Sequence, residues 1–339
     1  NYTSGTKPSA TGTNAVAIGS NAVSSGGYSL ALGFSANAAN GLAVGKGSIS
    51  NGSDATAIGP YARADATSST AMGAGSNGQG AKTASGSGAM ALGGSYASGT
   101  DSFAAAIATN STSYGATGAN SIAMGYQAKA TNTYGATFGG FRCQTTGGGA
   151  ASLGGFDNVA SGSYSTVIGG RDSTADASYS YALGYGSHTQ GVERRMAFAG
   201  SASSGNMQSG YFCLAKNTTD ATATALVTNV YPAASTNNQI ILPNNSAYAF
   251  HGTIVARQQA ADGTACAAWK VEGLIRREGS AGTTVLVNSA TTVLDNTPNW
   301  GMALSADTTN GGLAITCTGA ASTDVRWVAT IHTSEVTYA

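Results

Sequence analysis

A short apolar unit, formed by a small residue, a larger apolar residue and usually a glycine, recurs through the first 200 residues. The units are Ala17-Ile18-Gly19, Ala31-Leu32-Gly33, Ala43-Val44-Gly45, Ala57-Ile58-Gly59, Ala71-Met72-Gly73, Ala91-Leu92-Gly93, Ala106-Ile107-Ala108, Ala123-Met124-Gly125, Thr137-Phe138-Gly139, Ser152-Leu153-Gly154, Val167-Ile168-Gly169, Ala182-Leu183-Gly184 and Ala197-Phe198-Ala199. Their central residues mostly follow one another at 14 or 15 positions. Such a period predicts a repeat architecture.

Each repeat is predicted to be one coil of a parallel β-roll. Asn14 to Ile18 alternates with a period of two, which is typical of a strand. The density of glycine and the lack of a helical apolar stripe exclude a helix. A fainter small-x-small element such as Ala22-Val23-Ser24 supplies a second short strand, and the glycines supply corners that need a positive φ. Coils this small must stack on one another to be stable.

The strand pattern places two apolar rows on opposite faces of each coil. In the first unit, Val16 and Ile18 form one row, and Ala15 and Ala17 form the other. The interior holds one row, so the other is left on the surface as a continuous apolar strip. Because such a strip promotes association, we expect several rods to associate about a common axis. The pattern leaves open which row faces outward.

The repeat stops near residue 200, and a different β domain is predicted beyond it. All three tryptophans lie there, and alternation is clear in two predicted strands, where Trp269, Val271 and Ile275 oppose Lys270, Glu272 and Arg276, and Val325, Trp327, Ala329 and Ile331 oppose Arg326, Thr330 and His332. The predicted strands cover residues 208–214, 239–242, 248–258, 264–278, 283–287, 302–305, 313–318 and 325–332. They favour a β-sandwich or jelly roll. We therefore predict an N-terminal connector (1–11), a roll shaft (12–200), a linker (201–220) and a tip domain (221–339).

The repeat resembles the head repeat of the YadA-type trimeric adhesins. The likeness is carried by Asn14-Ala15-Val16-Ala17-Ile18-Gly19-Ser20-Asn21-Ala22-Val23-Ser24-Ser25-Gly26 and extends over about residues 12 to 200. It implies an all-β, left-handed parallel β-roll that forms a homotrimer, binds a surface ligand and is not an enzyme.

The second half of the chain resembles C-terminal domains of phage tail fibres and tailspikes, chiefly in residues 241–250 and 269–273. The basic neck, heptad stalk and membrane anchor of bacterial adhesins are not found in the sequence. Together these features favour a phage fibre on the virion tail over the alternative, the head of a bacterial trimeric autotransporter adhesin on a cell surface. A phage fibre implies a trimeric tip, a host surface polysaccharide or lipopolysaccharide as receptor, and an upstream tail or baseplate adaptor.

Composition narrows the classes of partner. The chain has 15 basic and 15 acidic residues, and 9% of its residues are charged, against about 25% in an average domain. With no basic patch we expect no nucleic-acid partner, and with no apolar run of about 18 residues we expect no membrane insertion. The chain starts at Asn1 without Met, so we expect a fragment or processed product that lacks an upstream module.

The four cysteines are far apart in the sequence. Cys143, Cys213, Cys266 and Cys317 include no C-x-x-C pair and suggest no disulfide framework. We expect them to be buried free thiols, since a free cysteine packs like a small hydrophobic residue. No cofactor or metal site is expected.

Catalytic patterns were sought because a polysaccharide depolymerase is a third hypothesis. Glycoside hydrolysis needs two carboxylates on either side of one bond. Asp172 and Asp176 are the nearest pair of interest in the roll, and both lie in a predicted turn, where Asp is a common turn former. No G-x-S-x-G nucleophile motif occurs, and His188, His251 and His332 are isolated in the sequence. We therefore expect no catalytic residue and a protein that is not an enzyme.

Aromatic and charged residues at the corners of the roll are the candidate receptor-binding groups. A ring can stack on a sugar while a neighbouring charged group binds hydroxyls. The candidates are Tyr126, Phe141, Arg142, Phe156, Asp157, Arg171, Asp172 and Tyr185 in the roll, and Asn299 and Trp300 in a loop of the tip. In the competing interpretation, Phe141 and Phe156 fill the core of the trimer. Trp269 and Trp327, on strands, are expected in the core of the tip.

Overall fold

The computed structural model describes residues 6–73, 83–105, 114–200, 205–230, 232–260 and 264–338, which form strands, turns and a short 3-10 helix at Ala281–Thr283. The chain divides into two compact units, residues 1–161 and 162–339. The predicted boundary at residue 200 therefore lies inside the second unit. In the described parts of the chain, no helix has the length and apolarity needed to cross a membrane.

The first unit is a stack of coils, each with one longer and one shorter strand. The longer strands are Val16–Ile18, Leu30–Leu32, Gly41–Val44, Ala55–Ile58, Thr70–Met72, Met90–Leu92, Phe103–Ala105, Ile122–Tyr126, Ala136–Phe141 and Ala151–Leu153. The shorter strands are Ser9–Ala10, Val23–Ser24, Asn37–Ala38, Ile49–Ser50, Arg63–Ala64, Thr83–Ala84, Gly115–Ala116, Lys129–Ala130, Gln144–Thr145 and Val159–Ala160. Neighbouring coils pair in parallel, with Ala17 opposite Ala31 and Ile18 opposite Leu32. The predicted parallel β-roll is confirmed.

Two details of the predicted repeat differ from the structure. Phe103–Ala105 pairs with Met90–Leu92, so this segment supplies the strand of its coil. The unit assigned from the sequence, Ala106-Ile107-Ala108, lies outside the described residues. Ser9–Ala10 pairs with Val23–Ser24, so the roll begins inside the predicted connector. Both differences arise because register is set by backbone pairing, which a tripeptide pattern does not encode.

The structure decides which apolar row faces the solvent. The small residues fill the interior, where Ala31, Ala43 and Ala57 are fully buried. The larger residues of the same strands point outward and stay 38–55% exposed at Val16, Ile18, Leu32, Met72, Met90, Met124, Phe138 and Leu153. We call these eight residues the apolar stripe. The narrow interior of a coil takes mainly Ala and Ser, with Thr137 and Asn158 among the few larger buried side chains of this unit, which explains why the large apolar residues face outward.

The corners of the roll are tight because one coil lies directly on the next. At Gly99, an added Cβ atom would lie 1.8 Å from the carbonyl oxygen of Gly118 in the next coil. Other corner positions adopt the left-handed conformation, including Asn14, Asn120 and Tyr134. Asn tolerates this conformation, and glycine adopts it without strain.

The second unit contains further roll strands and the tip. The roll strands are Thr166–Arg171, Thr174–Ala175, Tyr181–Tyr185 and Met196–Gly200. Met196–Gly200 pairs antiparallel with Met207–Thr218, where the tip sheet begins. Residues assigned to a linker at 201–220 therefore include a 12-residue strand. Gln208, Phe212 and Leu214 are buried on this strand, which packs as part of the core.

The tip has two antiparallel sheets. The larger sheet orders its strands as Met207–Thr218, Val325–Thr337, Ser246–Gln258, Cys266–Arg277 and Val285–Asp295. In the smaller sheet, Gly312–Thr318 pairs with Thr224–Ala225, Ile240–Ile241 and Gly301–Asp307. One hydrophobic cluster draws on both sheets, and the predicted alternation is confirmed, because Trp269 and Trp327 are buried there while Lys270 and Arg326 are exposed. The sandwich or jelly-roll topology itself stays a prediction.

Candidate functional site

Three of the predicted aromatic residues form one stack at a corner of the first unit. The ring centroids of Tyr126 and Phe141 are 4.8 Å apart, and those of Phe141 and Phe156 are 4.7 Å apart, with 6° between the planes in each case. The spacing equals that of neighbouring β-strands, about 4.7–4.9 Å, because each coil contributes one ring. Phe141 follows Gly139 and Gly140, whose positive φ angles turn the chain at the corner.

Arg142 and Asp157 complete this cluster. The Arg142 Nε atom donates to Asp157 Oδ1 at 2.6 Å, and Arg142 Nη2 donates to Asp157 Oδ2. The guanidinium carbon also lies 5.0 Å from the Phe141 ring centroid and 5.6 Å from that of Phe156. Both charged side chains remain partly exposed. The five predicted residues between 126 and 157 are thus brought together, and we call them the 126–157 cluster.

A second, smaller cluster lies in the second unit. Arg171 Nε donates to Asp172 Oδ2 at 3.1 Å, and the Arg171 guanidinium carbon lies 5.5 Å from the Tyr185 ring centroid. Arg171 and Tyr185 are cross-strand partners, which explains their contact. The predicted residues Arg171, Asp172 and Tyr185 therefore also meet.

The two predicted residues of the tip do not form a surface site. Trp300 is 4% exposed, and its ring centroid lies 5.8 Å from that of Trp327. Asn296 closes the loop, because its side chain accepts from the Trp300 amide at 2.9 Å and donates to the Trp300 carbonyl at 2.8 Å. Asn299 adopts the left-handed backbone conformation in this turn. The turn folds Trp300 into the core, so its predicted loop exposure is wrong.

The histidines are not isolated in the structure. His188 Nε2 lies 3.1 Å from Asp176 Oδ2, and that carboxylate also accepts from Thr189 Oγ1 at 2.6 Å and from the Gly191 amide at 2.9 Å. Burial by itself raises the pKa of Asp176, but the hydrogen bonds from these three residues outweigh it and hold the pKa well below its usual range. In the tip, His251 and His332 stack at 5.4 Å. Residues in adjacent coils or strands meet although they are distant in sequence.

The cysteines divide into two kinds. Cys143 and Cys317 are buried free thiols, as predicted, whereas Cys213 and Cys266 are exposed on the larger tip sheet. Burial raises the pKa of the Cys317 thiol to about 12. Within the described ranges, no group of three or more His, Cys, Asp or Glu residues is placed to hold a metal ion.

Some exposed aromatic residues were not among the predicted site residues. Tyr164 and Tyr179 stack at 5.2 Å, and the guanidinium carbon of Arg194 lies 5.1 Å from the Tyr179 ring centroid. Tyr28 and Tyr134 are also exposed at corners, and all four tyrosines have a positive φ. The sequence does carry a signal for these four residues. Each is a tyrosine at a repeat position where other coils have Asn, Asp or Gly.

The repeat matches the family model of the YadA head domain repeat over residues 10–36, 50–76 and 116–135. No curated protein matches the chain.

Solved structures similar to this chain include three tailspike proteins of Acinetobacter phages. Tailspike gp49 of the A. baumannii phage Fri1, a capsular polysaccharide depolymerase, has 8% identity and a TM-score of 0.24, with 95% of this chain and 69% of that chain covered. The tailspike of phage vB_ApiP_P1 has 10% identity and a TM-score of 0.20, with 96% and 81% covered. The A. baumannii phage AM24 tailspike has 10% identity and a TM-score of 0.20, with 95% and 60% covered. At these values, no ligand or chemistry is transferred to this chain.

The expectation that the chain is not an enzyme is corrected by this comparison. The Fri1 tailspike is a depolymerase, so a resemblance to tailspikes gives no ground for excluding catalysis. In a stacked roll, groups that meet need not be close in sequence, so the spacing of the acids along the chain does not exclude a catalytic pair. Stacked coils bring together groups about one coil apart, such as Asp176 and His188.

Three segments of the parallel coils, residues 10–36, 50–76 and 116–135, are therefore similar to the YadA head domain repeat.

Proposed function

We propose that this chain is the receptor-binding part of a phage tail fibre or tailspike, which attaches the particle to a polysaccharide or lipopolysaccharide of the host surface. The observation that carries the proposal is the 126–157 cluster, in which stacked rings and a paired guanidinium lie at the surface of a repetitive roll. The YadA-type repeat supports a surface-binding role.

The chemistry of the cluster suits a sugar polymer. Its rings cover one another's faces, so they offer mainly their edges and the outer faces of the stack. The guanidinium of Arg142 is held by Asp157 and by two rings, so little side-chain freedom is lost when it binds a hydroxyl. The 126–157 cluster lies on a scaffold of repeated coils, and a polysaccharide, which is itself built of repeated units, suits such a surface.

The apolar stripe supports a homotrimer as the working form of the fibre. Eight large apolar side chains along one face of a single chain would be an aggregation hazard if they stayed in water. Self-association that buries this face removes the hazard and multiplies the number of sugar-binding corners on one particle. Several weak sites on one particle then act together, which raises the avidity for a polymer.

The test uses the purified chain and a panel of immobilised capsular polysaccharides and lipopolysaccharides. We expect binding to at least one member, and a loss of at least tenfold in the double variant Arg142→Ala, Phe156→Ala. The control variant Lys129→Ala changes a residue outside the cluster and should bind like the parent. If the chain binds no member of the panel, or if the double variant binds normally, the proposal is wrong. Release of reducing ends, measured on the same samples, tests for cleavage of the polymer.

The alternative is the head of a bacterial trimeric autotransporter adhesin, located on a cell surface. The family match favours it, because YadA head repeats are named after an adhesin. Binding to immobilised extracellular matrix proteins, without binding to bacterial polysaccharides, would support the adhesin and contradict the phage fibre.

A further inference from the structure

Three successive coils of the first unit place Asn120, Tyr134 and Gly149 in one column at a corner. The backbone shows that the positions are equivalent, because the Tyr134 amide donates to Ala119 O at 3.0 Å and the Gly149 amide donates to Thr133 O at 3.0 Å. All three residues have a positive φ. Tyr134 therefore lies between an asparagine and a glycine.

Because Gly149 has no side chain, its coil contributes none to this column. In the 126–157 cluster, each coil supplies a ring, and the rings follow one another at 4.7–4.8 Å. On the Gly149 side of Tyr134, no side chain fills the equivalent place. The Tyr134 side chain is 66% exposed, and within the described residues it has no stacking, cation–π or hydrogen-bond partner.

Tyrosine is an unfavourable residue for this position. The left-handed conformation is costly for a bulky side chain and cheap for asparagine or glycine. Tyr134 therefore combines a strained backbone with an uncovered ring, where asparagine would avoid both. A ring retained at such a position without an internal partner is expected to serve an external one.

The surroundings of the ring are polar and neutral. Asn120, Asn132 and Thr133 are exposed around Tyr134 and carry amide or hydroxyl groups. The Asn132 side-chain amide donates to the carbonyl oxygen of Thr146 in the next coil, which leaves its oxygen as an acceptor. An aromatic face with neutral donors and acceptors at its rim matches a pyranose, which has an apolar C–H face and hydroxyls at its edge.

We propose that Tyr134 is a stacking platform for one neutral sugar residue of the receptor polysaccharide, held in the space that Gly149 leaves open. This inference rests on the proposed function, since it assigns a second contact point for the same polymer.

Two substitutions test the site from opposite sides. Tyr134→Asn removes the ring and installs the residue found at Asn120, and Gly149→Asn keeps the ring but fills the space beside it with a residue that tolerates a positive φ. We expect each to weaken binding to the polysaccharide selected from the panel by at least tenfold. The melting temperature of Tyr134→Asn should be unchanged or raised, which separates loss of binding from loss of structure.

Tyr179 offers a matched control. It is an exposed tyrosine with a positive φ, but its ring is already covered, because Tyr164 stacks on it at 5.2 Å and the guanidinium carbon of Arg194 lies 5.1 Å from its centroid. Tyr179→Asn should therefore bind like the parent chain.

Each outcome bears on a different claim. If the parent chain binds no polysaccharide, the proposed function is overturned and the Tyr134 site with it. If the parent binds and both variants bind equally well, only the Tyr134 site is overturned. If either variant changes the mass of the particle measured by light scattering, the ring belongs to a contact between chains, and the sugar site is again wrong.

Discussion

At the scale of single residues, the buried charges of the second unit mark where the roll joins the tip sheet. Arg195 and Glu335 form an ion pair with both side chains 0% exposed. Glu335 also accepts from Gln208 Nε2 at 3.0 Å and from Thr333 Oγ1 at 2.6 Å, and Arg195 donates to Gln190 Oε1 at 2.7 Å. A buried charge is tolerated only when it is paired and hydrogen-bonded in this way.

Removing one partner of this pair should be strongly destabilising. Arg195→Met leaves Glu335 charged and buried, and we expect the free energy of unfolding to fall by about 3–5 kcal/mol in urea titrations. Arg276→Met is the matched control, because Arg276 and Glu278 pair with side chains 54% and 57% exposed. An exposed pair is worth about 0–1 kcal/mol, so equal losses in the two variants would contradict the assignment.

Asp176 should make stability depend on acid pH. Its pKa is lowered in the folded chain, so its stabilising contribution is complete above the unfolded value of about 3.9 and declines as the pH falls toward the folded value. At pH 7, Asp176→Asn should lose about 1–3 kcal/mol because hydrogen bonds to the carboxylate are weakened. The difference between parent and variant should shrink between pH 4 and pH 2.5 in urea titrations. A difference that stays constant over that range would exclude this role.

At the scale of the element, each coil is held by close contact with the next. Most inward side chains are small, and corner glycines let backbone atoms approach the neighbouring coil. Stability of such a stack is distributed over nearest-neighbour contacts, so one crowded corner affects two coils.

The need for glycine at a crowded corner can be tested by comparing an alanine substitution there with one at a glycine that has open space around it. In Gly99→Ala the new Cβ atom would lie 1.8 Å from Gly118 O, and we expect a loss of about 1–3 kcal/mol from overpacking. At Gly27, the nearest atom to an added Cβ is Thr13 O at 3.8 Å, and Gly27→Ala should be neutral or stabilising by about 0.4–1 kcal/mol. Thermal unfolding of both variants measures the contrast, and similar melting temperatures would show that coil contact does not set the need for glycine.

At the scale of the whole molecule, the apolar stripe is the surface through which we expect copies of the chain to associate. Light scattering on the purified chain should give a mass of three chains, in line with the proposed homotrimer. Replacing Met124 and Phe138 by Asp places charges on the stripe, and we expect the particle to dissociate or aggregate. Asn37→Asp, on a shorter strand outside the stripe, should leave the mass unchanged. A soluble single chain in the parent would contradict the trimer and the fibre built on it.

The candidate site could be predicted in part. The spacing of Phe141 and Phe156 indicated that they share an edge, because a fixed period places equivalent residues in one column. The sequence could not show that their faces cover one another, nor that Arg142 reaches across to Asp157 in the next coil. Trp300 was misplaced because the Asn296 turn that buries it depends on side-chain hydrogen bonds that no pattern reveals.

The sequence alone determined the repeat, the strand character of each unit and the alternation of the tip strands, because these follow from period and residue type. Only the tertiary structure decided that alanines fill the coils while larger residues such as Ile18 and Phe138 face outward. It also decided that Phe103–Ala105 is in register and that Asp176 meets His188. The physical reason is that interior volume, register and contacts between coils arise only when the stacked backbone is in place.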